Sequence, residues 1–192
     1  MGSSGHVLAT DIDVSWLDPA AGAPFEVRRH DIVLDPAPAE TFDLVHARLV
    51  LVHLEDRGRA LKIMIDAVRP GGWLVVEDAD PALQPLACPD VAGPAQELAN
   101  RMRTVVRTLM AERGADLQYG RTLPRLIREA GLTRVKAEGF FPIASQTCSN
   151  LEAATVQHVR DKLLANGLAT TAEIDRHLHN LSAANWISHS RQ

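Results

Sequence analysis

No run of about 18 apolar residues occurs in the 192-residue chain, so no membrane span is expected. A basic excess is missing too. The formal net charge is −4, whereas a nucleic-acid partner usually needs a basic face, so none is expected. The opening residues, MGSSGH, lack the basic and apolar regions of a secretory signal. Cysteine is scarce: Cys88 and Cys148 form no metal or redox spacing and read as reduced thiols of a cytoplasmic protein. The histidines are scattered. His177 and His179 are two apart on an expected helix and point to different faces, so no metal site is expected. Internal repeats and low-complexity tracts are absent. The remainder is 46% apolar, ordinary for a globular protein, and long enough for one domain with a core. That single domain is expected over 1–192, with a sheet core at 6–140 and a helical segment at 141–192.

The chain is organised around residues 42–80. The segment FDLVHARLVL, 42–51, is too densely apolar for a strand with one wet face. It is expected as a parallel strand covered on both faces. Asp56 or Glu55 can cap a following helix whose Ala60, Leu61, Met64, Ile65 and Val68 form one stripe. Pro70-Gly71-Gly72 is expected to stop that helix. Trp73-Leu74-Val75-Val76 makes a second apolar strand, closed by Glu77, Asp78 and Asp80. Strand, helix and strand in this order give a right-handed parallel unit. Ligands of such sheets sit beyond the carboxyl ends of the strands. His46, Arg48, Glu77, Asp78 and Asp80 thereby fall near the working edge.

Upstream, HVLATDI at 6–12 reads as a short strand ending at Asp11. An acid there is either a turn residue or an acceptor for both ribose hydroxyls of a nucleotide. Trp16 and Leu17 begin a loop. Residues 25–31 alternate like a strand nearer the sheet edge and end at Asp31. Downstream, a helix is expected over 92–113, with Leu98, Met102, Val105 and Leu109 as its packing stripe and Gly114 as its stop. A helix at 123–130 and a strand at 135–141 follow. Asn150 can cap a helix to Ala165, and Thr170 with Glu173 forms a capping box for another. Residues 186–189 are expected as a last short strand.

As a set, these stretches resemble the class I S-adenosylmethionine-dependent methyltransferases, most of all the small-molecule enzymes of bacterial type. The likeness rests on HVLATDI at 6–12, His30-Asp31, FDLVHAR at 42–48 and RPGGWLVVE at 69–77, and on their spacing. Tyr119-Gly120-Arg121 to Gly131-Leu132 looks like the later part of the same fold. The resemblance implies an α/β fold: a Rossmann-like, mostly parallel sheet with flanking helices, incomplete at the N-terminus, and a helical C-terminal segment. It further implies that Asp11, followed by Ile12, holds the ribose of S-adenosyl-L-methionine. Asp31, next to His30, would accept from the adenine amino group, with Ile32 against the ring. His46, Ala47 and Arg48 would line the methionine end, partly through backbone carbonyls. Arg48 could equally be a substrate contact or a structural ion pair.

The family also has a strand and a Gly-rich loop ahead of the segment that starts here. Gly2-Ser3-Ser4-Gly5 does not replace that loop, because it precedes a strand instead of joining a strand to a helix. The chain is therefore expected to lack an N-terminal portion, Met1 being either a wrongly chosen start or the head of a fragment. In this fold the first strand lies between the second and fourth. Its loss would leave a gap of roughly 4.8 Å on each side. Each unpaired buried backbone group there costs on the order of 1–3 kcal/mol. The chain could close the gap, fold poorly, or borrow a strand from a second copy as a homodimer. The implied reaction is methyl transfer from a sulfonium to an oxygen, nitrogen or carbon of a small-molecule acceptor, helped mainly by alignment and exclusion of water. A base is optional. His46, Glu77 or Asp78 could serve, and Glu77 and Asp78 could instead cap the next loop. Two other readings stay open: a degenerate, non-catalytic binding or assembly protein, and an NAD-dependent oxidoreductase.

Overall fold

In the computed structural model, which describes residues 4–15, 24–84, 86–141 and 146–183, β1 (Val7–Asp11) and β2 (Phe25–Arg29) pair in parallel. Val7 stands opposite Phe25 and Asp11 opposite Arg29. Backbone bonds of 2.9 Å, Val7 N to Pro24 O and His30 N to Asp11 O, flank the ladder. A second pair joins β3 (Phe42–Arg48) to β4 (Val68–Glu77). Phe42 N donates to Ala67 O and Leu49 N to Glu77 O, both at 2.8 Å, so these strands also share a direction. Their connection is α1 (Arg57–Asp66), capped by Asp56, whose Oδ1 accepts from Arg59 N at 2.9 Å. This is the α/β, parallel-strand architecture that the resemblance implies. Among the described residues, however, the strands form two separate two-stranded sheets, with no ladder between β1 and β3.

The chain divides into two compact units, Met1–Ala47 with Asp56–Val76, and Arg48–Glu55 with Glu77–Gln192. The first holds the strand pairs and α1. The second holds a 3₁₀ turn at Leu51–His53 and four helices: α2 (Pro94–Glu112), α3 (Tyr119–Glu129), α4 (Gln146–Ala165) and α5 (Thr171–Ser182). Helices α2, α4 and α5 pack on one another. Met102, Val105 and Leu109 meet Val156, Val159, Leu163 and Ile174 in one core. Met102, Leu163 and Ile174 are fully buried. Burial of such a side chain contributes about 1.5–3 kcal/mol. The capping box at α5 is formed: Thr170 Oγ1 accepts from Glu173 N at 3.2 Å, and Glu173 Oε2 from Thr170 N at 2.8 Å.

Several local expectations are corrected. The strand expected over 42–51 stops at Arg48, because Leu49 takes a left-handed φ of +53° and the 3₁₀ turn follows. Nor is that strand covered on both faces, since Leu44 is 55% exposed; Trp73 of β4 is 58% exposed. Apolar density sets what a strand could bury, and a covering element decides whether it does. Helix α1 ends at Asp66, and β4 begins at Val68 and carries Pro70-Gly71-Gly72 within it. Gly71 has a φ of +81°, and a Cβ on Gly72 would lie 2.9 Å from Asp43 O. The Pro-Gly-Gly segment thus serves a close approach of β4 to β3 rather than a helix stop. Helix α3 starts at Tyr119, ahead of the expected 123, and α4 starts at Gln146, ahead of Asn150. The strand expected over 135–141 does not form, and Phe140 is 84% exposed. Alternation makes a strand only where another edge accepts its hydrogen bonds. The loop at Trp16 and Leu17 and the expected strand at 186–189 lie outside the described residues.

Candidate functional site

Because β1 and β2 are parallel and in register, Asp11 and Asp31 come to the same rim, at the carboxyl ends of neighbouring strands. Asp11 ends β1, and its Oδ1 accepts from Asp13 N at 3.0 Å. Asp31 organises the turn after β2. Its Oδ1 accepts from Val33 N at 2.9 Å and Leu34 N at 3.1 Å, and its own N–H donates to Asp35 Oδ2 at 2.7 Å. Each carboxylate thus spends one oxygen on locking its own backbone. The second oxygen of each has no hydrogen bond to other described residues. His30 is turned aside, its Nε2 donating to Pro36 O at 3.0 Å. Ile12 is 62% exposed beside Asp11, and Ile32 is half-buried beside Asp31. Two fixed carboxylates with apolar neighbours on one rim suit the adenosine half of a nucleotide: hydroxyl and amino donors for the acids, an aromatic face for the isoleucines.

His46 and Ala47 lie toward the end of β3, His46 exposed and Ala47 buried. A buried alanine can offer a ligand little beyond its backbone. In the second unit, Arg48 Nε stands 4.0 Å from Glu77 Oε2, with both side chains more than half exposed. Such a pair contributes little stability. Asp78 is committed to backbone: Oδ2 accepts from Val52 N at 3.1 Å and Oδ1 from Ala79 N at 2.8 Å. Burial raises its pKa, opposed by the bonds from Ala79, Val52 and Leu51. Asp78 therefore pins the 3₁₀ turn after β3 to the end of β4. Asp80 is held by Arg121, Nε to Oδ2 at 2.6 Å and Nη2 to Oδ1 at 2.7 Å, with the Arg121 amide at 3.1 Å. That ion pair keeps the Asp80 carboxyl below its usual range. It needs a close fit, because a Cβ on Gly120 would lie 2.7 Å from Ala79 O. Sequence reasoning named Asp80 and Arg121 separately; no local spacing signals a pair 41 residues apart.

A sequence model described as the methyltransferase domain matches residues 6–137, well over half of the chain. The chain belongs to that family, the class I S-adenosylmethionine-dependent methyltransferases. It is similar to methyltransferase str2 of Strobilurus tenacellus, 41% identical over 123 residues, which cover 60% of this chain and 43% of that protein. It is 30% identical to the ubiquinone/menaquinone biosynthesis C-methyltransferase UbiE of Vibrio parahaemolyticus over 99 residues, 45% of this chain and 37% of that protein. A phosphoethanolamine N-methyltransferase of Triticum aestivum is 24% identical over 173 residues, 84% of this chain and 30% of that protein. The chain thus spans less than half the length of these curated relatives. Membership of this family sets aside the NAD-dependent reading. Among the described residues, no helix is long and apolar enough to cross a membrane.

Proposed function

We propose that this chain carries an S-adenosyl-L-methionine site and takes part in methyl transfer to a small-molecule acceptor. The observation that carries the reading is the pair of backbone-locked carboxylates, Asp11 and Asp31, on adjacent tips of one parallel ladder. Asp11, followed by Ile12, accepts from the ribose hydroxyls, and Asp31 from the adenine amino group, with Ile32 against the base. Both acids are pre-oriented by their own amide bonds, so little side-chain entropy is lost on binding. His46, Ala47 and Arg48 serve the methionine end.

When bound, the cofactor supplies an already activated methyl group, which leaves the protein to align the acceptor and exclude water. His46, Glu77 and Asp78 are the candidate bases for an acceptor hydroxyl, and His46 is exposed on β3. Asp78, bonded to amides on both oxygens, acts as a positioning residue for the turn at Leu51–His53, and Glu77 faces Arg48. Relatives named for N- and C-methylation leave both kinds of acceptor atom within the reading. Calorimetry with S-adenosylhomocysteine tests it. Micromolar binding, weakened about tenfold or more by Asp11→Asn, is expected. Absence of binding at millimolar ligand contradicts it and favours a non-catalytic role, for which the separation of the two strand pairs is the supporting observation.

A further inference from the structure

Helix α2 carries Arg103 and Arg107 one turn apart, so both leave the same side of the helix. Arg103 is matched. Its Nη2 lies 3.0 Å from Glu152 Oε2, and its Nη1 donates to Leu86 O at 3.2 Å. Glu152 is shared as well with the fully buried His177, whose Nε2 stands 3.8 Å from Glu152 Oε1. Arg107 is not matched. Its Nε is buried and meets no hydrogen-bond acceptor, and it forms no ion pair among the described residues. Burial lowers its pKa, the Arg103 charge adds to this, and Asp80 opposes it. Asp80 cannot answer that need, because its two oxygens are held by Arg121 and by the amide of Leu83.

A guanidinium keeps its proton near neutral pH, so Arg107 cannot escape burial by neutralising. A buried N–H without an acceptor is unfavourable until an acceptor arrives. The neighbouring carboxylates are engaged elsewhere: Glu152 with Arg103, Asp80 with Arg121, and Asp116 with Arg121 and the Gln118 amide, so none of them is bonded to Arg107. Asp80 lies just past Glu77, the last residue of β4, on the edge where ligands of α/β sheets collect.

We propose that Arg107, with Arg103 beside it, forms a subsite for an anionic group, carboxylate or phosphate, carried by the methyl acceptor. The word acceptor rests on the methyl-transfer reading; the anion site rests on α2 and its neighbours alone. Inorganic phosphate and benzoate are titrated separately into the purified 192-residue chain, with ionic strength held by chloride. Heteronuclear NMR follows the Arg107 Nε–Hε signal in the wild type and the Arg103 Nε–Hε signal in the wild type and every variant. A saturable shift with at least one anion is expected, weakened about tenfold or more in Arg107→Gln. Arg125→Gln, which breaks only an exposed pair with Glu129, leaves it unchanged. Phosphate alone assigns a phosphorylated acceptor, benzoate alone a carboxylic acid, and both the shared anion chemistry. An unmoved Arg107 signal, or equal binding by Arg107→Gln, overturns the proposal. Should Arg107→Gln fail to fold, the wild-type signal and the charge-preserving Arg107→Lys carry the test: Arg107→Lys must retain binding. None of these titrations contains cofactor. Failure of S-adenosylhomocysteine to bind therefore overturns the methyl-transfer reading without touching the anion site.

Discussion

The strand-bearing unit and the helical unit close their cores to different degrees. Among the described residues of the first, the buried apolar ones are Ala47, then Ala60, Leu61 and Met64 of α1 and Ala67 just after it, while Leu44, Trp73 and Val75 of the second strand pair stay exposed. In the second, α2, α4 and α5 enclose a continuous core from Met102 to Ile174. Backbone chemistry explains the contrast. A helix satisfies its own N–H and C=O groups and needs only one stripe covered. A strand needs neighbours along its edges and cover on its faces. One stretch of sequence can complete a three-helix core by itself, whereas two strand pairs with no ladder between them among the described residues leave edges and apolar faces open.

The largest effect that sharpens this comparison lies in the helical core. Leu163→Ala or Met102→Ala should cost about 2–5 kcal/mol in denaturant unfolding. Leu44→Ala, on the exposed strand face, should stay within about 0.5 kcal/mol. Equal losses at the two places would break the comparison. Next come the two close approaches, one in each unit. Gly72→Ala drives a methyl group toward Asp43 O, and Gly120→Ala another toward Ala79 O. Each should cost about 1–3 kcal/mol, and a neutral Gly120→Ala would mean that α3 does not press on Ala79. A smaller loss, about 1 kcal/mol, is expected for Thr170→Ala at the head of α5, seen as a lower unfolding midpoint.

The smallest effect is one of pH. Arg101 Nε lies 2.7 Å from Glu173 Oε1, and this bond, then those from the Thr170 amide and hydroxyl, lowers the Glu173 pKa to about 2. The folded value lies below the unfolded one of about 4.3, so the stabilisation is full above that unfolded value. It is lost as pH falls from about 4 through about 2. Glu173→Gln should flatten the acid limb of the stability curve in that window, and an unchanged limb would separate α5 from this ion pair.

What the sequence displayed follows the same divide. Local chemistry was readable: the Asp56 cap, the Thr170–Glu173 box and the Met102–Leu109 stripe depend on residues a few positions apart. So was the strand end at Asp11, whereas β2 stops at Arg29, short of the expected end at Asp31, which sits in the turn that follows. Features that depend on distant partners were hidden. Residues 135–141 alternate but find no edge, Pro70-Gly71-Gly72 stops no helix because β3 draws it into a strand, and Arg103 meets Glu152 across 49 positions.

Methyl-donor binding at these strand ends requires Asp11 and Asp31 to receive one nucleoside between them. Amide NMR of the chain during titration with S-adenosylhomocysteine tests this directly. The amides of Asp13, Val33 and Leu34, which donate to those two carboxylates, should shift together and saturate with one affinity. Shifts elsewhere while these three stay still, or movement at one tip alone, would contradict it.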